Sequence, residues 1–242
     1  MESVSYGGVV LTDLFEVIGI RKPYSHEAET VSVSGRDDLI VRDTRLRGPA
    51  VTLRFVAGPR TRAQLHEARR QIGSLLASRE PKRLQFGDDG GLYYMALPNG
   101  TPDWAQFSRT GRMDVQFLVP SPAMYGTERV ATVPSGSYVD ITVDGTYPTR
   151  PTITASSAVR NSTSLVWGLV LDSAGYIHVE TGSSSARSVT LDCEARTCRV
   201  SNSIRVPTLD SDWFEFAPGS HRVRMDNGTG AAVLRWQERW LA

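Results

Sequence analysis

Lysine and cysteine are almost missing from this chain: Lys22 and Lys82 are the only lysines among 27 basic residues, and Cys193 and Cys198 are the only cysteines in 242 residues. One pair of thiols excludes a cysteine-rich disulfide scaffold. No run approaches the roughly 20 apolar residues that span a bilayer, and "MESVSYGGVV" lacks the basic and apolar regions of a secretory signal. The expectation is a protein made and kept in the cytosol, without membrane insertion. Its sequons at Asn99, Asn161 and Asn227 are then unglycosylated, and the thiols flanking "EART", although able to face each other across two strands, are favoured in the reduced state. Excess charge is lacking too. With 27 basic against 26 acidic residues, no net field draws the chain to nucleic acid or to an anionic surface, and the arginine bias is read as compositional.

Catalytic signatures are equally scarce. "HEARR" at His66 begins like a zinc-protease helix but has Arg70 where the second ligand belongs. There is no G-x-S-x-G elbow and no phosphate-cradling G-x-x-x-x-G-K-[ST] loop. His26, His66, His178 and His221 are scattered among different elements. Asp88-Asp89 and Asp210-x-Asp212 sit in turn-like stretches, which explains them without the two opposed carboxyls of a glycosidase or a set of calcium ligands. No catalytic residue, metal site or cofactor is expected. Trp167 and Trp213, near the ends of strands, keep a sugar-stacking alternative open.

What the sequence does contain is alternation. One segment, Thr61 to Ser78, reads as a helix, with Leu65, Ala68, Ile72, Leu75 and Leu76 at helical spacing, a Thr61/Gln64 capping box, and Pro59 and Pro81 at its flanks. Its apolar face predicts packing against a sheet. Val51, Leu53 and Phe55 alternate with polar residues, as do Val115, Phe117 and Val119. After the Pro/Ser/Gly-rich stretch from Pro120 to Gly136, read as a linker, the pattern restarts in "YVDITVDG", "LVWGLVLDSAGYIHVE", "SVTLDCEARTCRVS" and "HRVRMDNGTGAAVLRWQERW". These predict a mainly β protein with two β-sandwich domains, residues 1–130 with the single helix and residues 131–242. Asn227-Gly228 predicts a hairpin turn before the last strand, in which Leu234, Trp236, Glu238 and Trp240 share one face and Arg235, Gln237 and Arg239 the other.

Short motifs punctuated by glycine, proline and aromatic residues run in order along the chain. They are "YGGVVLTD", "GRDDLIVRD", "RGPAVTLRFVAG" and "LQFGDDGGLYYMALPNG", then an F-x-x-x-x-P-x-x-Y-G pattern at Phe117, Pro122, Tyr125 and Gly126. W-x-x-F-x-P-G follows at Trp213, Phe216, Pro218 and Gly219, and "RWQERWL", containing Trp236, closes the series. In their order and spacing these motifs resemble the distal tail proteins (Dit) of long-tailed, non-contractile phages, with Ser121 standing where those proteins often carry Asp and His221 where Asn is common.

The resemblance implies a virion structural protein at the tail tip, synthesised and assembled in the host bacterial cytoplasm. Six copies would close a ring through the N-terminal domain, with a galectin-like or carbohydrate-module-like C-terminal domain outside it. Such a hub would join the tail tube protein to the tail-associated lysin at the tip and to receptor-binding proteins. Its central channel would pass the tape-measure protein and the DNA without specific nucleic-acid binding, which suits a nearly neutral chain. The alternative is a lectin-like protein that adheres to the host surface.

Overall fold

The alternating pattern sets the strands of the first half. In the computed structural model the described residues are 3–13, 15–22, 25–32, 34–35, 37–56, 61–100, 103, 107, 109–157, 166–172, 175–182, 187–226 and 228–241. Pro59, Asn161 and Asn227 lie outside them. The chain divides into two units, Met1–Tyr125 and Gly126–Leu241, each with its own apolar core.

In the first unit, β1 (Val4–Tyr6) pairs with β2 (Val9–Val10) and with β7 (Lys82–Phe86), while β3 (Glu16–Arg21) pairs with β6 (Ala50–Val56). Strand β8 (Tyr93–Asn99) is shared: its first half pairs with β7 and its last residues with β9 (Arg112–Leu118), which also pairs with β6. Val51, Leu53 and Phe55 from β6 and Met113, Val115 and Phe117 from β9 are all buried, so each strand turns one face to the core. Gly48 precedes β6 because nothing larger fits: a Cβ there would lie 1.9 Å from the Val119 carbonyl oxygen.

Helix α1 (Arg62–Leu76) starts as its sequence predicts, but it is not the single helix expected, since residues 107, 109 and 110 are helical too. Thr61 Oγ1 accepts from the Gln64 amide at 3.4 Å and Gln64 Oε1 accepts from the Thr61 amide at 2.9 Å, which satisfies two otherwise unpaired donors. Ala68 and Ile72 are buried, and Leu65, Leu75 and Leu76 pack partly against the same core.

Strands β4 (Ser25–Ser32) and β5 (Leu39–Arg47) stand apart. Among the described residues they pair only with each other, along their full lengths. Every described residue of β5 except half-buried Leu46 is exposed, including Leu39 at 62% and Val41 at 56%.

In the second unit two sheets enclose one core, as a β-sandwich requires. One sheet runs β10 (Met124–Pro134), β19 (Ala231–Trp240), β12 (Thr152–Ser157), β15 (Arg187–Asp192), β16 (Thr197–Val200), β17 (Ser203–Arg205). The other runs β11 (Tyr138–Val143), β18 (Gly219–Asp226), β13 (Val166–Leu171), β14 (Gly175–Glu180). The hairpins β13–β14 and β15–β16 are those the sequence predicts.

Two expectations need correction. The stretch 120–136 is not an aperiodic linker, because β10 occupies most of it; the two units meet between Tyr125 and Gly126, upstream of the 130/131 boundary. The segment after Met225 is not a hairpin either. Strands β18 and β19 belong to opposite sheets, so the chain crosses the sandwich between them. Gly228 packs at this crossing, where a Cβ would approach the Trp167 indole to 2.9 Å, and its carbonyl accepts from Ser135 Oγ. Among the described residues of this segment, Gly230 has positive φ, 82°, and its carbonyl accepts from the Ser135 amide at 2.9 Å.

Candidate functional site

The motif residues serve the fold. Phe117 is buried on β9, and Tyr125, at the start of β10, stacks on Tyr93 with ring centroids 5.7 Å apart. Between them, before Pro122, Ser121 Oγ accepts from the Ala123 amide at 3.2 Å and donates to the Ala123 carbonyl at 3.1 Å. Serine thus holds the turn at a position where a carboxylate would accept the same amide. Gly126 continues β10.

The Trp213-to-Gly219 motif is a second structural corner. Phe216 exchanges backbone hydrogen bonds with Thr149 at 2.7 and 2.9 Å and meets the Trp236 ring edge-on at 5.9 Å. After Pro218, Gly219 takes φ 122°. His221 stacks on Phe216 at 5.5 Å and places Nε2 2.6 Å from the Ala217 carbonyl oxygen, bracing the corner.

Trp236 is core, 5% exposed. Glu238 is buried as its face predicts, with its carboxylate bonded to Arg129; on the opposite face Arg239 is buried too, over the Tyr147 ring at 5.5 Å.

The two tryptophans proposed to stack on sugar behave differently. Trp167 is fully buried in the sandwich core, which removes it as a platform. Trp213 is half-buried and borders a groove beside β17. Further aromatic rings reach the surface on the outer side of the β11–β18–β13–β14 sheet. There Tyr138, half-exposed, is covered by the Arg224 and Arg222 guanidiniums at 5.2 and 5.7 Å, while Tyr176 lies 4.6 Å from the His178 ring. Alternation in "YVDITV" was the signal for Tyr138 and Asp140 facing outward.

The carboxylates sort into structural pairs. Asp89 sits in the turn after β7 and bonds Lys22 at 3.0 Å. Asp210 Oδ2 accepts from the Tyr176 hydroxyl at 2.5 Å, which holds its carboxyl below the usual range, and the Asp212 amide donates to the Tyr176 carbonyl at 2.8 Å. A cleft of about 580 Å³ in the first unit is lined by Arg54, Asn99, Asp103, Asp114 and apolar residues. Within it Arg54 forms two bonds to Asp114, at 2.9 and 3.0 Å, and these lower the Asp114 pKa, so that carboxyl is a poor proton donor at neutral pH. Among the described residues no group of three His, Cys, Asp or Glu side chains is placed to hold a metal ion.

Cys193 and Cys198 are free and buried, and burial pushes their thiols up to about 12 and about 11. Across the β15–β16 pair, Cys198 faces Leu191. Both thiols stay protonated at pH 8, so a disulfide reagent should label them at under about 1% of the rate seen after unfolding. Labelling at the unfolded rate in the folded protein would show them accessible. Burying these thiols in their neutral form also makes stability fall at high pH. The pKa is raised in the folded state, so the contribution is complete below the unfolded value near 9.0 and is lost as pH climbs towards about 12.

Among the described residues, Asp89, Asp114 and Glu238 are paired with basic side chains and Asp210 with a hydroxyl, and the second motif corner is braced by the His221 contact to Ala217. Comparison with known proteins gives the class. Residues 6–119 match the family model described as a phage tail protein RIFT-related domain, and residues 144–240 match the siphovirus-type tail component, C-terminal domain. The chain is a phage tail component. It belongs to the distal tail protein (Dit) family of siphophages. The crystal structure of SPP1 Dit is similar over 100% of both chains, with TM-score 0.77 at 18% identity. A chain of the phage P2 baseplate in its activated conformation with calcium is similar over 98% of both chains, with TM-score 0.55 at 7% identity. Its strontium counterpart gives 0.56 at 8% identity, also over 98% of both chains. No curated protein matches by sequence. The two-domain, mainly β fold class expected from the sequence is the one observed.

Proposed function

We propose that this protein is the hub of the tail tip: six copies close a ring through the first unit and join the tail tube to the tip. The ring leaves a channel for the tape-measure protein and the DNA, and the second units face outward towards the tip and receptor-binding proteins. The observation that carries the ring is the β4–β5 hairpin. A lone two-stranded ribbon is marginal in water, and this one exposes Leu39, Ile40 and Val41 in succession. An apolar row on such an arm is stabilised when a neighbouring subunit covers it. The end-to-end likeness to SPP1 Dit, described as a paradigm of hub adsorption apparatus in phages that infect Gram-positive bacteria, supports the same reading.

Mass photometry and native mass spectrometry test it. The full chain is expected at six times the monomer mass, and Leu39→Asp with Val41→Asp is expected to leave folded monomers. A chain that stays monomeric at about 50 μM, where a contact of ordinary strength is populated, overturns the ring. A double variant that still forms hexamers moves the contact away from the hairpin.

A further inference from the structure

The two sheets of the second unit end differently on one side. The β14 edge is closed by the chain itself: the Thr208 amide donates to the His178 carbonyl at 2.9 Å and the Asp212 amide to the Tyr176 carbonyl at 2.8 Å. Strand β17, the outer strand of the facing sheet, has no strand on its far side among the described residues. Around this open edge lie Ile204, 76% exposed, Val206, 81% exposed, and Leu209, fully exposed. A groove of about 460 Å³ runs beside them, also lined by Arg196, Arg199 and Arg205 and bordered by Trp213. None of these three arginines has an ion pair among the described residues. Among the acids flanking the groove in sequence, Asp210 accepts from Tyr176, Asp192 from the Ala195 amide, and Glu194 pairs with Arg150 and Arg239.

Charge alone on an edge strand blunts unwanted pairing. Here it is combined with three exposed apolar side chains within six residues, which would defeat that purpose. Arginine beside an open strand repels a basic segment and attracts an acidic one, so the combination selects a partner. We propose that the β17 edge and its groove bind an extended acidic peptide segment of a partner protein, added as a further strand. The peptide's backbone pairs with Ser203–Arg205, its carboxylates meet the arginines, and its apolar side chains cover Ile204, Val206 and Leu209. An anionic polymer without apolar groups satisfies the arginines but leaves those side chains in water, which favours a protein partner. The surface belongs to the second unit and does not depend on ring formation.

The probe is a labelled, end-blocked ten-residue peptide of alternating glutamate and valine. Its lysine–valine counterpart and inorganic polyphosphate serve as comparisons, with the full chain followed by fluorescence anisotropy and amide hydrogen exchange. The acidic peptide should bind and slow exchange at 203–205, the lysine peptide should not bind, and added salt should weaken the complex. Arg199→Glu with Arg205→Glu should weaken binding at least about tenfold, and Leu209→Ser severalfold, with the melting temperature unchanged. Should the double variant fail to fold, Leu209→Ser and the exchange pattern decide. The proposal is overturned by no binding at about 1 mM peptide, equal binding of the lysine peptide, binding of polyphosphate alone, or acidic-peptide binding without protection at 203–205.

Discussion

Replacing Trp236 by alanine is expected to cost the second unit about 3–5 kcal/mol. The side chain is 5% exposed, sits in the central strand β19 among core residues, and meets Phe216 edge-on, so its removal leaves a cavity and takes a partner from the Trp213-to-Gly219 corner. Denaturant unfolding followed by tryptophan fluorescence measures the loss, because Trp167 and Trp213 remain as reporters in the same unit. Assembly by the first unit should persist when the second is destabilised. In a variant retaining only Trp236, strong quenching by acrylamide in the folded state would place this ring at the surface and reopen a sugar-platform role.

Ile72→Asp is the corresponding lesion in the first unit. Ile72 is buried on α1 beside a gap of only about 10 Å³ lined by Phe15, Phe55, Val115 and Phe117. The lining is apolar apart from Tyr6, whose hydroxyl donates to the Ala96 carbonyl, so a carboxylate and any water beside it lack polar partners. The expected cost exceeds about 4 kcal/mol at neutral pH. The sign of its pH dependence distinguishes this mechanism from lost packing. A buried carboxyl has a raised pKa, so the penalty is smallest below the unfolded value near 3.9 and grows as pH rises. Ile72→Ala lacks that dependence. An unchanged melting temperature for Ile72→Asp would mean the helix face is not core.

Where a segment's own side chains decide its structure, the sequence was sufficient. Val51, Leu53 and Phe55 alternate and are buried, and Thr61 with Gln64 predicts the capping box that forms. The β13–β14 and β15–β16 hairpins follow from apolar strands around short polar turns. Strand β10 is not legible in the sequence because its middle, from Thr127 to Val130, is exposed; its strand character comes from backbone pairing with neighbours distant in sequence. At Asn227-Gly228 the local chemistry suits a hairpin and a crossing equally, since both β18 and β19 bury alternate residues either way. Only the opposite sheet decides. The burial of Arg239 was unreadable for the same reason, since Tyr147 reaches it from elsewhere in the chain. Of the candidate site, Trp236 and the Pro218-Gly219 corner were legible as structure. The open β17 edge was not, because an edge exists only relative to a completed sheet.

The place of β19 in its sheet, between β10 and β12, constrains how the second unit comes into being. A central strand supplied by residues 231–240 means that every other strand of the sandwich can be present while its middle is missing. A growing chain that has reached Thr229 therefore has two unsatisfied edges, at β10 and β12, and must stay unfolded or be guarded until the next segment emerges. Loss of that segment would convert the whole unit into material prone to aggregate, so the unit forms in a single late step or not at all.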